Sequence, residues 1–291
     1  MRAGQGRFLR NTRDRRSLLF VALALALLLA PLALPPPAWL LPFWLLASTL
    51  LCFSACIINH NHVHLPVFHQ AFLNHLFAAL LGLARGHTSY GVIVAHNLNH
   101  HRHNGGDGDW IHTRLAGEHR GLRRLARYIV RATLSMARGR ADPRAPRLSA
   151  SQHRQLHLQR FLLAVFVAAM FHLAGAAVLL YLFLPWGLAI AMLVGVNLLQ
   201  HDACDPQSRL DHSRNFLGRV GNWLFFNNGY HAIHHMEPEL HWSRLPGAHA
   251  RRVAGQADPA LQVQSILGFL WRHYLAPGAC PVQEKAIMAG K

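Results

Sequence analysis

From Ser17 to Ala84 the chain carries no Lys, Arg, Asp or Glu, and a second charge-free run extends from Phe161 to His201. At roughly 20 residues per crossing, each run is long enough for a pair of membrane helices. Lipid offers the backbone no hydrogen-bond partners, so such runs must satisfy their own amides as helices. In the first run, "SLLFVALALALLLAPLAL" and "AWLLPFWLLASTLLCFSACII" are separated by Pro35, Pro36 and Pro37, which stop a helix and make a tight connection. The second run divides at "LPWG", where Trp and Pro suit an interfacial turn. The pattern predicts spans over about 17–34, 38–58, 160–183 and 187–200.

Charge orients these spans. The 291 residues are 52% hydrophobic and only 14% charged, yet the formal charge is +17. The first segment, "MRAGQGRFLRNTRDRR", is rich in Arg and stays cytoplasmic by the positive-inside rule; an even number of crossings returns the chain to that side. The Arg-rich stretch from Arg114 to Arg160 and the region after His201 then share that compartment. A cleaved leader over residues 1–37 is the competing reading, and cleavage near Ala38 leaves everything downstream oriented as before. The expected organisation is an all-α membrane protein with about four transmembrane helices in two hairpins and a cytoplasmic helical cap. A basic N-terminus covers 1–16, a membrane domain 17–260 and a tail 261–291. The expected setting is a bacterial inner membrane, with both termini cytoplasmic.

Several features carry no chemistry. Cys52 and Cys56 lie inside a span, Cys204 and Cys280 are isolated, and no pair has Cys-x-x-Cys spacing, so all four read as packing residues. "NGGDGDW", Asn104–Trp110, has no preceding strand and no following Lys-Ser/Thr; it reads as a turn, not a phosphate loop. The Arg blocks flank membrane spans without interleaved aromatic side chains, which points to anionic lipid or an acidic partner and away from nucleic acid.

The 23 histidines are different, because many fall into boxes. His60 and His64 stand four apart where the second span ends. His96, His100 and His101 follow in the next polar segment, Asn197 and His201 stand four apart at the end of the last span, and His231, His234 and His235 sit at i, i+3 and i+4. On a helix such spacings place imidazoles on one face. Ten N or O donors exceed what one metal ion accepts, whereas two ions of five or six coordination could use nine imidazoles and an amide and keep room for oxygen or water. The donor set suits iron, copper or zinc, and it lacks the Glu-x-x-His pairs of soluble carboxylate-bridged sites. His62 lies two residues from both His60 and His64 and should point away from them. His69, His75, His87, His103, His112, His119 and His241 read as hydrogen-bonded or surface side chains. Asp107, Asp109, Asp202, Asp205 and Glu237 are candidate acceptors for the second N–H of a ligand imidazole.

In order, spacing and placement among the four spans, these boxes resemble the integral-membrane fatty acid desaturase and hydroxylase superfamily over about residues 17–250. The resemblance implies a di-iron oxidoreductase that uses dioxygen to attack an unactivated C–H bond of a lipid chain. It maps His60, His64, His96, His100, His101, His201, His231, His234 and His235 to metal ligands, and Asn197 to a weaker or water-mediated one. Zinc could replace iron in purified protein. "HHRHNGGDGDW" and "VNLLQH" look somewhat like membrane alkane hydroxylases, while "NNGYHAIHHMEPELHWSRLP" looks more like the desaturase and ketolase ending. Desaturation of a fatty acyl chain is the expected outcome. Hydroxylation, ketolation or alkene-forming decarboxylation of a fatty acid, alkane or carotenoid stand as alternatives. With neither His-Pro-Gly-Gly nor a Cys-x-x-Cys pair in the chain, electrons are expected from a separate ferredoxin- or rubredoxin-type protein. A metal transporter is the rival of another class. It would carry ligands or acids at mid-membrane, whereas the boxes here cluster at span ends and neither charge-free run holds an acid.

Overall fold

The computed structural model describes residues 6–279 and Val282. Cys280 lies outside the described residues, as do the first five residues of the basic N-terminus and residues 283–291 of the tail. The chain is mostly helical and divides into two compact units, one from Met1–Val94 with Arg147–Leu193 and one from Ala95–Pro146 with Val194–Lys291.

The first unit is built on apolar helices. After a short 3-10 turn, α1 (Arg15–Ala33) begins where Ser17 Oγ donates to Asp14 Oδ1 at 3.0 Å, and it ends just ahead of the three prolines. α2 (Leu41–His64) follows, with Pro42 in its first turn, where a missing N–H costs nothing. Its middle buries the small residues Ser48, Thr49, Cys52, Ser54, Ala55 and Cys56, which let neighbouring helices approach closely. α3 (Ala71–Arg85) packs on α1 and α2 and stops at Gly86, whose φ of 73° is the left-handed turn glycine accepts without strain. α4 (Ser89–Ala95) starts beside α7 (Ala150–Ala174), where Gln159 Oε1 accepts from Ser89 N at 2.9 Å. A capping box of Ser149 and Gln152 opens α7.

Four helices are long and apolar enough to cross a membrane: Thr12–Ala33, Leu41–His64, Ala150–Ala174 and Leu179–His201. The first pair follows the expected spans, with α2 continuing through the first histidine box. The second pair breaks elsewhere. α7 ends at Gly175, φ 53°, nine residues before the "LPWG" taken as the divide. A π turn, Leu179–Phe183, then leads into α8 (Leu184–His201). Pro185 is harmless at the start of α8, because the widened turn before it already breaks the regular i to i−4 ladder that a proline would interrupt. Phe161, Val165 and Leu173 on α7 are exposed, which only a lipid surround makes acceptable for so continuous an apolar surface.

The second unit holds the shorter elements. α4 passes through a π turn, His96–His100, into α5 (His101–His103), and "NGGDGDW" then makes the expected turn, with Asn104 and Gly105 at positive φ. α6 (Gly121–Ala141) buries Tyr128 and Ala132. After α8 the chain forms β1 (Asn215–Phe216), α9 (Arg219–Leu224), α10 (His231–Met236), α11 (Leu245–Arg252), β2 (Gln262–Val263) and α12 (Ile266–Leu270). β1 and β2 pair in parallel, Asn215 with Gln262 and Phe216 with Val263. Residues 261–279, read from sequence as part of a tail, therefore belong to the unit, supplying a strand and the buried Tyr274.

Candidate metal centre

The π turn decides how the second histidine box is shared. A regular α-helix would pair His96 with His100, but an i to i+5 turn aligns His96 with His101, and their Nε2 atoms stand 3.0 Å apart. His100 is thereby released toward another group. On α10 the spacing acts as expected for one pair: His231 and His235, four apart, bring their Nε2 atoms to 3.1 Å. His234 turns instead to His101, Nε2 to Nε2 at 3.2 Å.

Two sets result within the second unit. His96, His101 and His234 form one. In the other, His201 Nε2 lies 2.9 Å from His231 Nε2, and His100, His201, His231 and His235 each offer a ligand atom within 4.8 Å of all the others. The sets adjoin, with the His101 and His235 rings stacked at a centroid distance of 4.4 Å. Ring nitrogens bound to one ion at about 2.1 Å and at right angles would be about 3.0 Å apart; the paired nitrogens here stand 2.9, 3.0, 3.1 and 3.2 Å apart. In the first unit, His60 and His64 share a face of α2 with ring centroids 5.4 Å apart.

Hydrogen bonds on the far side of the rings set the tautomers. His100 Nδ1 donates to Asp109 Oδ2 at 2.7 Å, and its buried Nε2 has no hydrogen-bond partner among the described residues. His201 Nδ1 donates to the His212 carbonyl at 3.1 Å, which leaves Nε2 for a metal. Burial alone would raise the Asp109 carboxyl, but His100 and the N–H groups of Ile111 and Gly105 outweigh it and hold it down at about 2. Burial, then the neighbouring His231, His101, His100 and His201, push His235 well below the ordinary imidazole value, so its lone pair is free at neutral pH. The donors therefore fit a first-row metal with neutral nitrogen ligands.

Other expectations fall on both sides. Asn197 donates its amide Nδ2 to Tyr128 Oη at 2.6 Å and to the Ile111 carbonyl at 3.2 Å, so only its oxygen remains to face a metal or a metal-bound water. His62 turns from His60 and His64, accepts from Val67 N at 3.3 Å and meets the Phe77 ring at 5.2 Å. Of the five candidate acids, only Asp109 bonds a ligand imidazole among the described residues. Asp107 pairs with Arg114, Glu237 with Arg252, and Asp205 caps its own turn, its Oδ1 accepting from Gln207 N at 2.9 Å. Asp202 accepts from Arg124 Nη2 at 2.6 Å and from Tyr274 Oη at 2.7 Å. Sequence reasoning passed over His212, Tyr128 and Asn215. A backbone carbonyl has no sequence signature, but a tyrosine in the buried stripe of an otherwise Arg-rich helix is a readable signal for Tyr128. Asn215 Oδ1 accepts from Ala232 N at 3.0 Å and so fastens the first turn of α10 to β1.

The fatty acid desaturase family profile matches residues 37–265, most of the chain and all the boxes, and the chain belongs to that family. No curated protein matches it. Membership makes the chain an integral membrane oxidoreductase that acts on lipid acyl chains, and its histidine clusters have the donors to hold a metal.

Proposed function

We propose that the protein is an O2-dependent fatty acyl desaturase with two iron ions, held by His60, His64, His96, His100, His101, His201, His231, His234 and His235, with Asn197 contributing through its oxygen. The observation that carries the reading is the convergence of seven imidazoles of the second unit on two adjoining sets, six of them joined by ring-nitrogen spacings of 2.9 to 3.2 Å and His100 within 4.8 Å of its set. The i, i+4 pair on α2 supports adding His60 and His64. When bound, such a metal pair would supply the oxidising power to break a C–H bond with dioxygen. The chain's own residues do the rest. Asp109 and the His212 carbonyl orient His100 and His201, while burial keeps His235 neutral. Tyr128 and the Ile111 carbonyl fix the Asn197 amide. Electrons come from a separate acidic ferredoxin or rubredoxin, drawn to a chain of charge +17, with the site and both termini on the cytoplasmic side of a bacterial inner membrane.

Desaturation is preferred over hydroxylation because "NNGYHAIHHMEPELHWSRLP" looks more like the desaturase and ketolase ending. The turn holding Asp109, which resembles that of alkane hydroxylases, favours hydroxylation as the second reading. Expression with a ferredoxin and its reductase under labelled dioxygen, followed by lipid mass spectrometry, separates them. A product two hydrogens lighter and without label is expected; label retained in the lipid overturns desaturation in favour of hydroxylation.

A further inference from the structure

Beside the metal-binding helix the second unit has a cavity of about 190 Å³, lined by Arg209, Leu210, Met236, Arg251, Arg252 and Gln256. Three arginines line it, Arg209 and Arg251 exposed and Arg252 half-buried. Arg252 pairs with Glu237, but among the described residues Arg209 and Arg251 have no acidic partner. Arginines at a surface usually extend into water away from one another, since like charges repel. Here the loop after α8 and the last turn of α11 bring three arginines to the edge of the same hollow, with Met236 at the end of α10 as its other wall.

Planar guanidinium groups bind oxyanions through paired N–H bonds, which suits phosphate and carboxylate better than any neutral ligand. Gln256 adds an amide that can donate as well. Leu210 and Met236 give the hollow an apolar side, as a head group attached to a hydrocarbon chain requires. Met236 directly follows His235 on α10, so the cavity wall and the metal-binding region share one short helix. We propose that this cavity is an oxyanion site that takes a phosphate or carboxylate group. The group is either the head of the acyl substrate, which rests on the proposed function, or a free phosphate or lipid head group.

The test uses the full-length protein in a sugar-based detergent free of phospholipid, with inorganic phosphate as the probe in calorimetry. The double variant Arg209→Gln/Arg251→Gln should bind phosphate at least about tenfold more weakly than wild type, the loss of one charged hydrogen bond or more. Unchanged metal content and thermal unfolding would show that the variant is folded. A KM raised about tenfold for an acyl substrate with an anionic head, with kcat and the KM for its methyl ester unchanged, assigns the site to the substrate. Weaker phosphate binding with both KM values unchanged supports the site and assigns it to free phosphate or a lipid head group. Equal phosphate binding by wild type and variant, or none by wild type, overturns the proposal. Wild-type protein lacking metal or oxidase activity would count against the proposed function alone, because phosphate binding is read without turnover.

Discussion

At the scale of single residues, the distribution of roles among histidines depends on what holds the far nitrogen of each ring. Asp109 is the clearest case, a carboxylate 2% exposed whose Oδ2 serves both His100 Nδ1 and Gly105 N, at 2.7 and 2.8 Å. Asn at position 109 keeps the shape but offers a neutral acceptor in place of the charge. Asp109→Asn should therefore weaken metal binding by roughly 10- to 100-fold, read as a fall in bound metal per chain on titration with a competing chelator, while helicity by circular dichroism stays unchanged. Metal retention equal to wild type would show that His100 needs no carboxylate.

At the scale of elements, α10 is six residues long and has no stability of its own, so its position is imposed by neighbours. Asn215 fastens its first turn, and the preceding "NNG" turn is held by Asn222, which donates to the Phe216 carbonyl at 2.7 Å and accepts from Gly229 N at 3.1 Å. Gly229 lies so close to Phe216 that a Cβ would collide with its carbonyl oxygen. Gly229→Ala should cost about 1 to 3 kcal/mol by overpacking and displace His231, two residues on. Lower thermal stability together with loss of bound metal is the expected outcome. Full metal occupancy in the variant would mean that the turn can give way without moving α10.

At the scale of the molecule, the second unit is tied at Asp202, one residue beyond His201. Its carboxylate is 2% exposed and joins Arg124 of α6 to Tyr274, near the end of the described chain. Asp202→Ala would strand a guanidinium and a phenol, and because the Arg124 side chain keeps 26% exposure, the cost should be about 2 to 3 kcal/mol, below that of a fully buried pair. Tyr274→Phe removes one hydrogen bond and should cost about 1 kcal/mol. Both are measurable as shifts in thermal unfolding. A truncation before Tyr274 should destabilise at least as much as Tyr274→Phe, which a dispensable tail would not do.

Sequence alone determined that there are four apolar spans, where the histidine boxes lie, and the family, because these rest on local quantities: uninterrupted hydropathy, and histidines at helical spacing. The first hairpin was legible from three prolines. The second was misplaced, since a single glycine able to adopt positive φ ended α7 at Gly175, while the conspicuous Pro185 was absorbed behind a π turn. The same limit applied at the site. Spacing of four predicted that His96 and His100 face together, and only the folded chain, through the extra residue of a π turn, sent His100 to His201, His231 and His235 and paired His96 with His101. A π turn arises where tertiary contacts outweigh the regular ladder, so no local pattern announces it. Tertiary structure likewise decided the partners of Asn197, Asp202 and Tyr274, and the placing of Arg209 and Arg251 at one cavity, because hydrogen bonds and cavities between residues distant in the chain depend on packing that residue spacing does not encode.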